Sequence, residues 1–341
     1  MDTPGGRGAL RDELHDLPAA LRHHALRSPA GRPWLETLGE RVLAQCERWK
    51  LAPDPSSPRT FFAGHAGIVV PVIGSAGGPL ALKCQIPDPG LATEATALKW
   101  WSGQGAVRLF THEDGFLLLE RLDPDHDLGA MPLPEACDIW GPLMSRLSLP
   151  ARQLPAAIAG AELVERTDAL AERWNDELPA RWAELPGLLP RRLLEAALEL
   201  CQIRGAVGRR DDQDFLVHSD LHFFNALRRP STGEFVAIDP QPLIGDREFA
   251  ILPMLDNRLA DLPSRNPGRA LQGRLHHLCE AAGLDDEVAV GWAVARAVED
   301  VLAYAEEGLF DDADRSLWVA TALSGADISS LPDVHGLKRL G

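Results

Sequence analysis

The chain has 341 residues, is 45% hydrophobic and carries a formal net charge of −16. That length accommodates two units, each with its own core. The acidic balance argues against nucleic acid as a partner; it serves solubility alone or favours a small cationic partner. The five cysteines, Cys46, Cys84, Cys137, Cys201 and Cys279, are odd in number and scattered. With no C-x-x-C pair, they read as free thiols of a cytoplasmic protein.

Taken in order, the chain opens on a polar, Gly-rich stretch with no apolar run of the signal-peptide kind. Residues 1 to 13 are expected to be a frayed leader. From Leu14 to Lys50 the pattern is helical, with Leu35, Leu38, Val42, Cys46 and Trp49 on one face. Pro53, Pro55 and Pro58 end it. Thr60 to Lys83 changes to a strand pattern: a Gly-bearing turn at Gly64 and Gly67, then two apolar runs around Gly74-Ser75-Ala76-Gly77-Gly78. This predicts a hairpin whose second strand ends in Lys83. A bare ammonium is costly in such a place. Leu91 to Trp101 reads as a helix carrying Glu94, and 107–110 and 116–122 as two more strands. Pro124 and Asp125 begin an expected linker.

Beyond it helices are expected over 134–149, 160–185, 190–206, 246–260, 267–282, 285–307 and 312–324. Val288 to Ala305, the longest apolar helical stretch, is interrupted by Arg296, Glu299 and Asp300, so it predicts a buried helix and not a membrane span. Strands early and helices late make an α+β chain of two lobes, 1–121 and 122–341.

One interruption among the helices carries the chemistry. Residues 216–227 read Leu-Val-His-Ser-Asp-Leu-His-Phe-Phe-Asn-Ala-Leu, and 236–241 read Val-Ala-Ile-Asp-Pro-Gln. Asp220 on a tight loop can take a proton from a hydroxyl. Asn225 and Asp239 offer the oxygens that magnesium prefers. One base plus two oxygen ligands is the equipment for moving a phosphoryl group from a nucleoside triphosphate, and the order parallels the kinase catalytic-loop pattern. Phe215–Val217 and Phe235–Ile238 are expected to be the two strands of a hairpin that holds the loop.

The order of Gly turn, strand Lys, helix Glu, His-x-Asp-x-x-x-x-Asn and Ile-Asp resembles the aminoglycoside phosphotransferase branch of the protein-kinase-like fold. The run Ile238-Asp239-Pro240-Gln241-Pro242-Leu243-Ile244-Gly245-Asp246 is similar to that of the streptomycin 6-kinase and hydroxyurea kinase subfamily. So are Leu-Leu-Glu-Arg-Leu at 118–122 and the helix bearing Trp34 and Trp49. The resemblance runs from about residue 17 to 325. It implies a small antiparallel-sheet N-lobe and a mostly helical C-lobe. Lys83 would hold the nucleotide phosphates and pair with Glu94, and Asp220 would be the base. Asn225 and Asp239 would hold magnesium, and the backbone at Leu119, Glu120 and Leu122 would meet the adenine of ATP. Gly64 and Gly67 would approach the phosphates. The chain departs from the subfamily at Ser219, where Gly is usual, at Phe223-Phe224, and at Ala250, where an acidic residue is usual.

Other polar residues divide less sharply. His218 and His222 stand four apart, but in a loop rather than a helix and with no evident further zinc ligands; His218 is expected to bond within the loop. Asp246 could greet substrate or brace the loop. Arg296 and Asp300, at i and i+4, predict an ion pair, while Asp256 and Glu299 are candidates for meeting substrate amines, with Asp246 and Asp300 beside them. Trp100, Trp101 and Trp292 are expected in the core. The absence of Walker A, G-x-S-x-G and G-x-G-x-x-G strings removes other enzyme classes. The expectation is a monomeric cytoplasmic kinase of a small cationic molecule, using ATP and Mg2+. Hydroxyurea or an amino sugar as acceptor, and a nucleotide-binding pseudokinase, are the alternatives.

Overall fold

The computed structural model describes residues 10, 13–64, 66–87, 91–154, 164–205 and 213–340. Most of the expected leader, His65 in the Gly-bearing turn, the start of the helix expected from 160, and residue 206 lie outside these. The chain divides into two compact units, Met1–Asp123 and Pro124–Gly341.

The first unit begins with two helices, α1 (Ala19–Arg27) and α2 (Gly31–Arg48), where one pattern ran from Leu14 to Lys50. The break falls at Ser28, which is extended (φ −96°, ψ 139°). Pro29 explains it, because a proline ring pushes the preceding residue out of the helical region. Leu38, Val42 and Cys46 on α2 are fully buried, with Leu35 and Trp49 packed at the margin. Leu10, inside the expected leader, is buried in the same core.

The strands β1 (Ala52–Pro53), β2 (Phe62–Ala63), β3 (Gly67–Ile73) and β4 (Pro79–Gln85) follow. Then come α3 (Leu91–Trp101), β5 (Leu109–Glu113) and β6 (Phe116–Glu120). They make one antiparallel sheet in the order β1-β3-β4-β6-β5, with β2 beside β3. Lys83 pairs with Val69 on one side and Leu117 on the other, so it lies in the middle of the sheet. Gly67 is required by close approach: a Cβ there would stand 2.4 Å from the Cys84 carbonyl oxygen.

The second unit includes β7 (Asp123–Asp127), α4 (Leu133–Leu147), β8 (Leu149–Pro150), α5 (Thr167–Glu184), α6 (Arg191–Arg204), β9 (Phe215–His218), β10 (Ala226–Arg228), β11 (Phe235–Ala237), β12 (Pro242–Gly245) and α7 (Leu252–Asp256). The long helices α8 (Pro267–Ala282), α9 (Asp286–Glu306) and α10 (Phe310–Leu323) complete it. The expected linker at Pro124 and Asp125 is strand β7. The expected helix over 246–260 is a 3-10 turn, the short α7 and a second 3-10 turn. Pro253 in α7 lacks a backbone donor and limits what can precede it.

The single expected hairpin over 215–240 is also replaced. Strand β9 pairs with β12 and β8, and β10 pairs with β11 and β7, giving two small sheets. The interior of the helical layer is apolar on α9, where Trp292, Ala293, Val298, Val301 and Leu302 are buried. Among the described residues no helix is long and apolar enough to cross a membrane.

Candidate active site

In the first unit the candidate site is an ion pair. Lys83 and Gln85 share a face of β4 because side chains alternate along a strand. The Lys83 ammonium donates to both carboxylate oxygens of Glu94, at 2.8 and 2.9 Å, and the Gln85 amide donates to Glu94 at 2.7 Å. Lys83 and Glu94 are 6% and 5% exposed, so each charge depends on the other. Gly64 donates its N–H to the Gly67 carbonyl at 2.9 Å and closes the turn before β3. At the end of β6, Leu119 and Leu122 are buried, and the Glu120 carboxylate accepts the Arg108 N–H at 2.8 Å.

In the second unit the loop after β9 is held from all sides. His218 is fully buried; its Nε2 bonds the Ile238 carbonyl at 3.0 Å and its Nδ1 accepts the Asp220 N–H at 3.2 Å. That is a structural histidine inside the loop and not a metal ligand. Ser219 donates its N–H and its hydroxyl to the Gln241 carbonyl, each at 2.9 Å, so serine where glycine is usual adds a bond. Arg296 donates to the carbonyls of Ser219 (3.1 Å) and Phe249 (2.7 Å), and the Trp140 indole donates to Leu221 (2.9 Å).

Asn225 donates its amide to the Asp220 carbonyl at 2.8 Å, which leaves its Oδ1 as the acceptor end. Gln241 donates to Asp220 Oδ2 at 3.3 Å. Asp239 sits at φ +51°, a left-handed conformation that costs a non-glycine residue about 1–3 kcal/mol and clusters at functional sites. Gly245 lies against Thr167 so closely that a Cβ would stand 1.8 Å from its Oγ1. The string 238–246 is therefore the strand and turn that lock the loop: Ile238 donates to the Asn225 carbonyl, and Pro242 to Gly245 pair with β9.

The residues considered for an acceptor separate into two groups. Asp246 is 9% exposed, accepts the Trp292 indole N–H at 2.8 Å and lies 3.6 Å from Arg204. Glu299 is paired with Arg181 at 3.1 Å, which also holds Glu306. Both are already engaged by protein donors. The expected ion pair between Arg296 and Asp300 is not made, since Arg296 turns to two backbone carbonyls and stacks over Phe249 at 4.4 Å.

Asp256 and Asp300 behave differently. Asp256 accepts only a long bond, 3.4 Å, from the Asn257 amide, and Asp300 accepts none among the described residues. Burial pushes the Asp256 carboxyl up, opposed by Arg315 and Arg296 and reinforced by the Asp220 carboxylate. Burial pushes Asp300 up to about 7, with Arg296 opposing and Glu299 and Asp256 adding to the rise. Asp220 therefore acts on Asp256, and Asp256 on Asp300. A cavity of about 290 Å³ adjoins Asp256, walled by Arg258, Leu259, Val334, Leu337 and Arg339. The sequence signal that separated these two acids from their neighbours was absent: all four are carboxylates on or near helices.

An antiparallel sheet with a buried Lys–Glu pair, together with a braced Asp/Asn loop in a helical unit, defines a kinase-like phosphotransferase. The fold agrees with that of macrolide 2′-phosphotransferase from Brachybacterium faecium, at a TM-score of 0.53 and 15% identity, covering 84% of this chain and 99% of that one. Residues 48–308 match the family of aminoglycoside/hydroxyurea antibiotic resistance kinases, and the chain belongs to that family. It is 32% identical over 324 residues to streptomycin 6-kinase of Streptomyces glaucescens, which covers 92% of this chain and 98% of that one. It is also 32% identical over 336 residues to hydroxyurea phosphotransferase of Kitasatospora aureofaciens, covering 95% and 91%.

Proposed function

We propose that this chain transfers the γ-phosphoryl group of ATP to a hydroxyl of a polycationic aminoglycoside, of which streptomycin is the first candidate, and so confers resistance to it. The observation that carries the choice of acceptor is a pair of under-bonded carboxylates, Asp256, on which the Asp220 carboxylate acts, and Asp300, on which Asp256 acts. A half-buried carboxylate with few protein donors gains when a ligand supplies them. Ammonium and guanidinium groups supply both donors and charge.

Asp220 takes the hydroxyl proton as the acceptor oxygen bonds the γ-phosphorus. The bond from phosphorus to the bridging oxygen breaks, and ADP leaves with that electron pair. Lys83, held by Glu94, orients the phosphates. The backbone at Leu119, Glu120 and Leu122 meets the adenine, and the turn at Gly64 and Gly67 brings backbone to the phosphates. Asn225 Oδ1 and the Asp239 carboxylate are the oxygens to hold magnesium, which when bound neutralises charge on the phosphates. Among the described residues no three or more His, Cys, Asp or Glu side chains gather into a metal cage. That suits an ion that takes one or two protein oxygens and fills its shell with water and phosphate. The enzyme acts as a monomer in the cytoplasm on this reading.

The test is product mass spectrometry on a panel of streptomycin, other aminoglycosides and hydroxyurea with ATP. The expected result is the mass of one phosphoryl group added to a cationic sugar. Addition to hydroxyurea alone moves the reading to the neutral acceptor. Asp220→Ala is expected to lower turnover by roughly 10²-fold or more with nucleotide affinity retained. Asp239→Asn is expected to weaken nucleotide binding in a way that high magnesium partly restores.

A further inference from the structure

His222 is two residues past Asp220 and has no part in the scheme above. Its Nδ1 accepts the Phe224 N–H at 3.2 Å, and its ring meets Phe224 edge-on at 5.9 Å between centroids. An Nδ1 that accepts carries no proton, so the neutral ring carries it on Nε2. That Nε2 lies 3.9 Å from Asp220 Oδ2, too far for a direct hydrogen bond. Among the described residues the Nε2–H makes no other hydrogen bond.

The distance of 3.9 Å has a use. An oxygen that donates to Asp220 at about 2.7 Å can also lie about 2.9 Å from a donor placed there, both ordinary hydrogen-bond lengths. Its bonds to the two groups then make an angle close to a right angle. A hydroxyl in that spot gives its proton to Asp220 and accepts from His222 with one lone pair. The other lone pair remains for phosphorus.

We infer that His222 Nε2–H is a hydrogen-bond donor to the acceptor's hydroxyl oxygen, fixing which way that hydroxyl points at Asp220. This rests on Asp220 being the base. Burial holds the His222 ring below its ordinary value, against the Asp256, Asp239 and Asp127 carboxylates that raise it, so the ring stays neutral. The histidine is the neutral donor in a group of acceptors. It is then a catalytic residue that touches substrate, and its contribution appears in acceptor turnover and not in nucleotide binding.

The two ring nitrogens can be tested apart. Asparagine mimics Nδ1 and keeps the bond to the Phe224 N–H. Glutamine mimics the reach of Nε2 and keeps the donor. His222→Ala, His222→Asn and His222→Gln are compared in the full chain for kcat/KM of the phosphorylated acceptor, nucleotide KM and thermal midpoint. The expected result is a fall of about 10²-fold in kcat/KM for Ala and Asn, the scale for removing one preorganised donor. Gln recovers most of the loss, and nucleotide KM stays within a few-fold throughout. Any result in which Asn serves as well as Gln overturns the inference and leaves His222 a turn-capping residue. Asp220→Ala is run beside them: if it retains turnover, the base assignment fails, whereas a dead Asp220→Ala with an Asn variant equal to Gln fails only the inference about His222.

Discussion

Two sets of carboxylates can be set side by side. In the first unit, Glu94 accepts three short bonds, two from Lys83 and one from Gln85. In the second, Asp256 accepts one long bond and Asp300 none among the described residues. Glu94 is almost wholly buried, whereas Asp256 and Asp300 keep part of their surface in water, so desolvation weighs more on the first set than on the second. The first is complete within the protein, so it fixes the position of a side chain. The second has few protein donors, which is why the proposed function assigns it to the acceptor.

The comparison breaks most visibly if one member of the complete pair is removed. Glu94→Ala leaves the Lys83 charge buried without its main partner, and a loss of about 3–5 kcal/mol in unfolding free energy is expected, read by denaturant titration. A loss below 1 kcal/mol would mean that Lys83 finds water and that the pair is not a closed one. The incomplete set should answer with the opposite sign. Asp300→Asn removes a charge that burial disfavours, so stability at neutral pH is expected to hold or rise. Acceptor KM is expected to rise about tenfold or more, since a hydrogen bond to a charged group contributes about 1.5–3 kcal/mol and about 1.4 kcal/mol is tenfold. Asp256→Asn should behave likewise, and a drop in stability without change in acceptor KM would count against both.

A smaller effect comes from pH. Asp300 is pushed up to about 7, with Arg296, Glu299, Asp256 and Arg315 as the charged groups acting on it. In the unfolded chain it ionises near its ordinary value of 3.8, so between about pH 4 and 7 the native state holds the extra proton. Its contribution to stability therefore declines as pH rises across that window. Acceptor binding runs the other way, because a cationic ligand prefers the ionised carboxylate. Acceptor KM is expected to fall a few-fold as pH rises through about 7, and Asp300→Asn to flatten that profile; an unchanged profile in the variant would assign the titration elsewhere.

The smallest expected effect is that of salt. Between ~0.01 and ~0.15 M ionic strength the Debye length falls from about 30 to about 8 Å, so the field of an acidic chain is increasingly screened. Acceptor KM should climb across that range while nucleotide KM, set by short-range contacts, need not. A KM indifferent to salt in a working assay would falsify the cationic acceptor and favour a neutral one, with the kinase chemistry intact.

Much of this was legible before any coordinates. A lysine ending an apolar strand needs a partner, and Glu94 on the following helix supplies it. His-x-Asp, the Asn five residues on and the Ile-Asp string are local in sequence, and local spacing survives folding. The string at 238–246 pointed to the family. The order of the elements, strands early and helices late, also followed from periods of 2 and 3.6 residues, which report the apolar face of an element.

Periodicity does not say which strand lies beside which. Phe215–Val217 and Phe235–Ile238 looked like partners, yet β9 chose β12 and β11 chose β10. Nor does it say where a charged side chain ends. Asp246 and Asp256 stand ten residues apart in the same acidic stretch, but an indole from α9 claims the first and nothing comparable reaches the second. Arg296 had Asp300 one turn away and turned instead to the carbonyls of Ser219 and Phe249, far off in sequence. Sequence determined which groups the chain carries and their local order, because those depend on spacing along one element. Only the tertiary structure decided which carboxylates were left without donors, because that depends on what packing from distant segments brings within 3 Å or so of each oxygen.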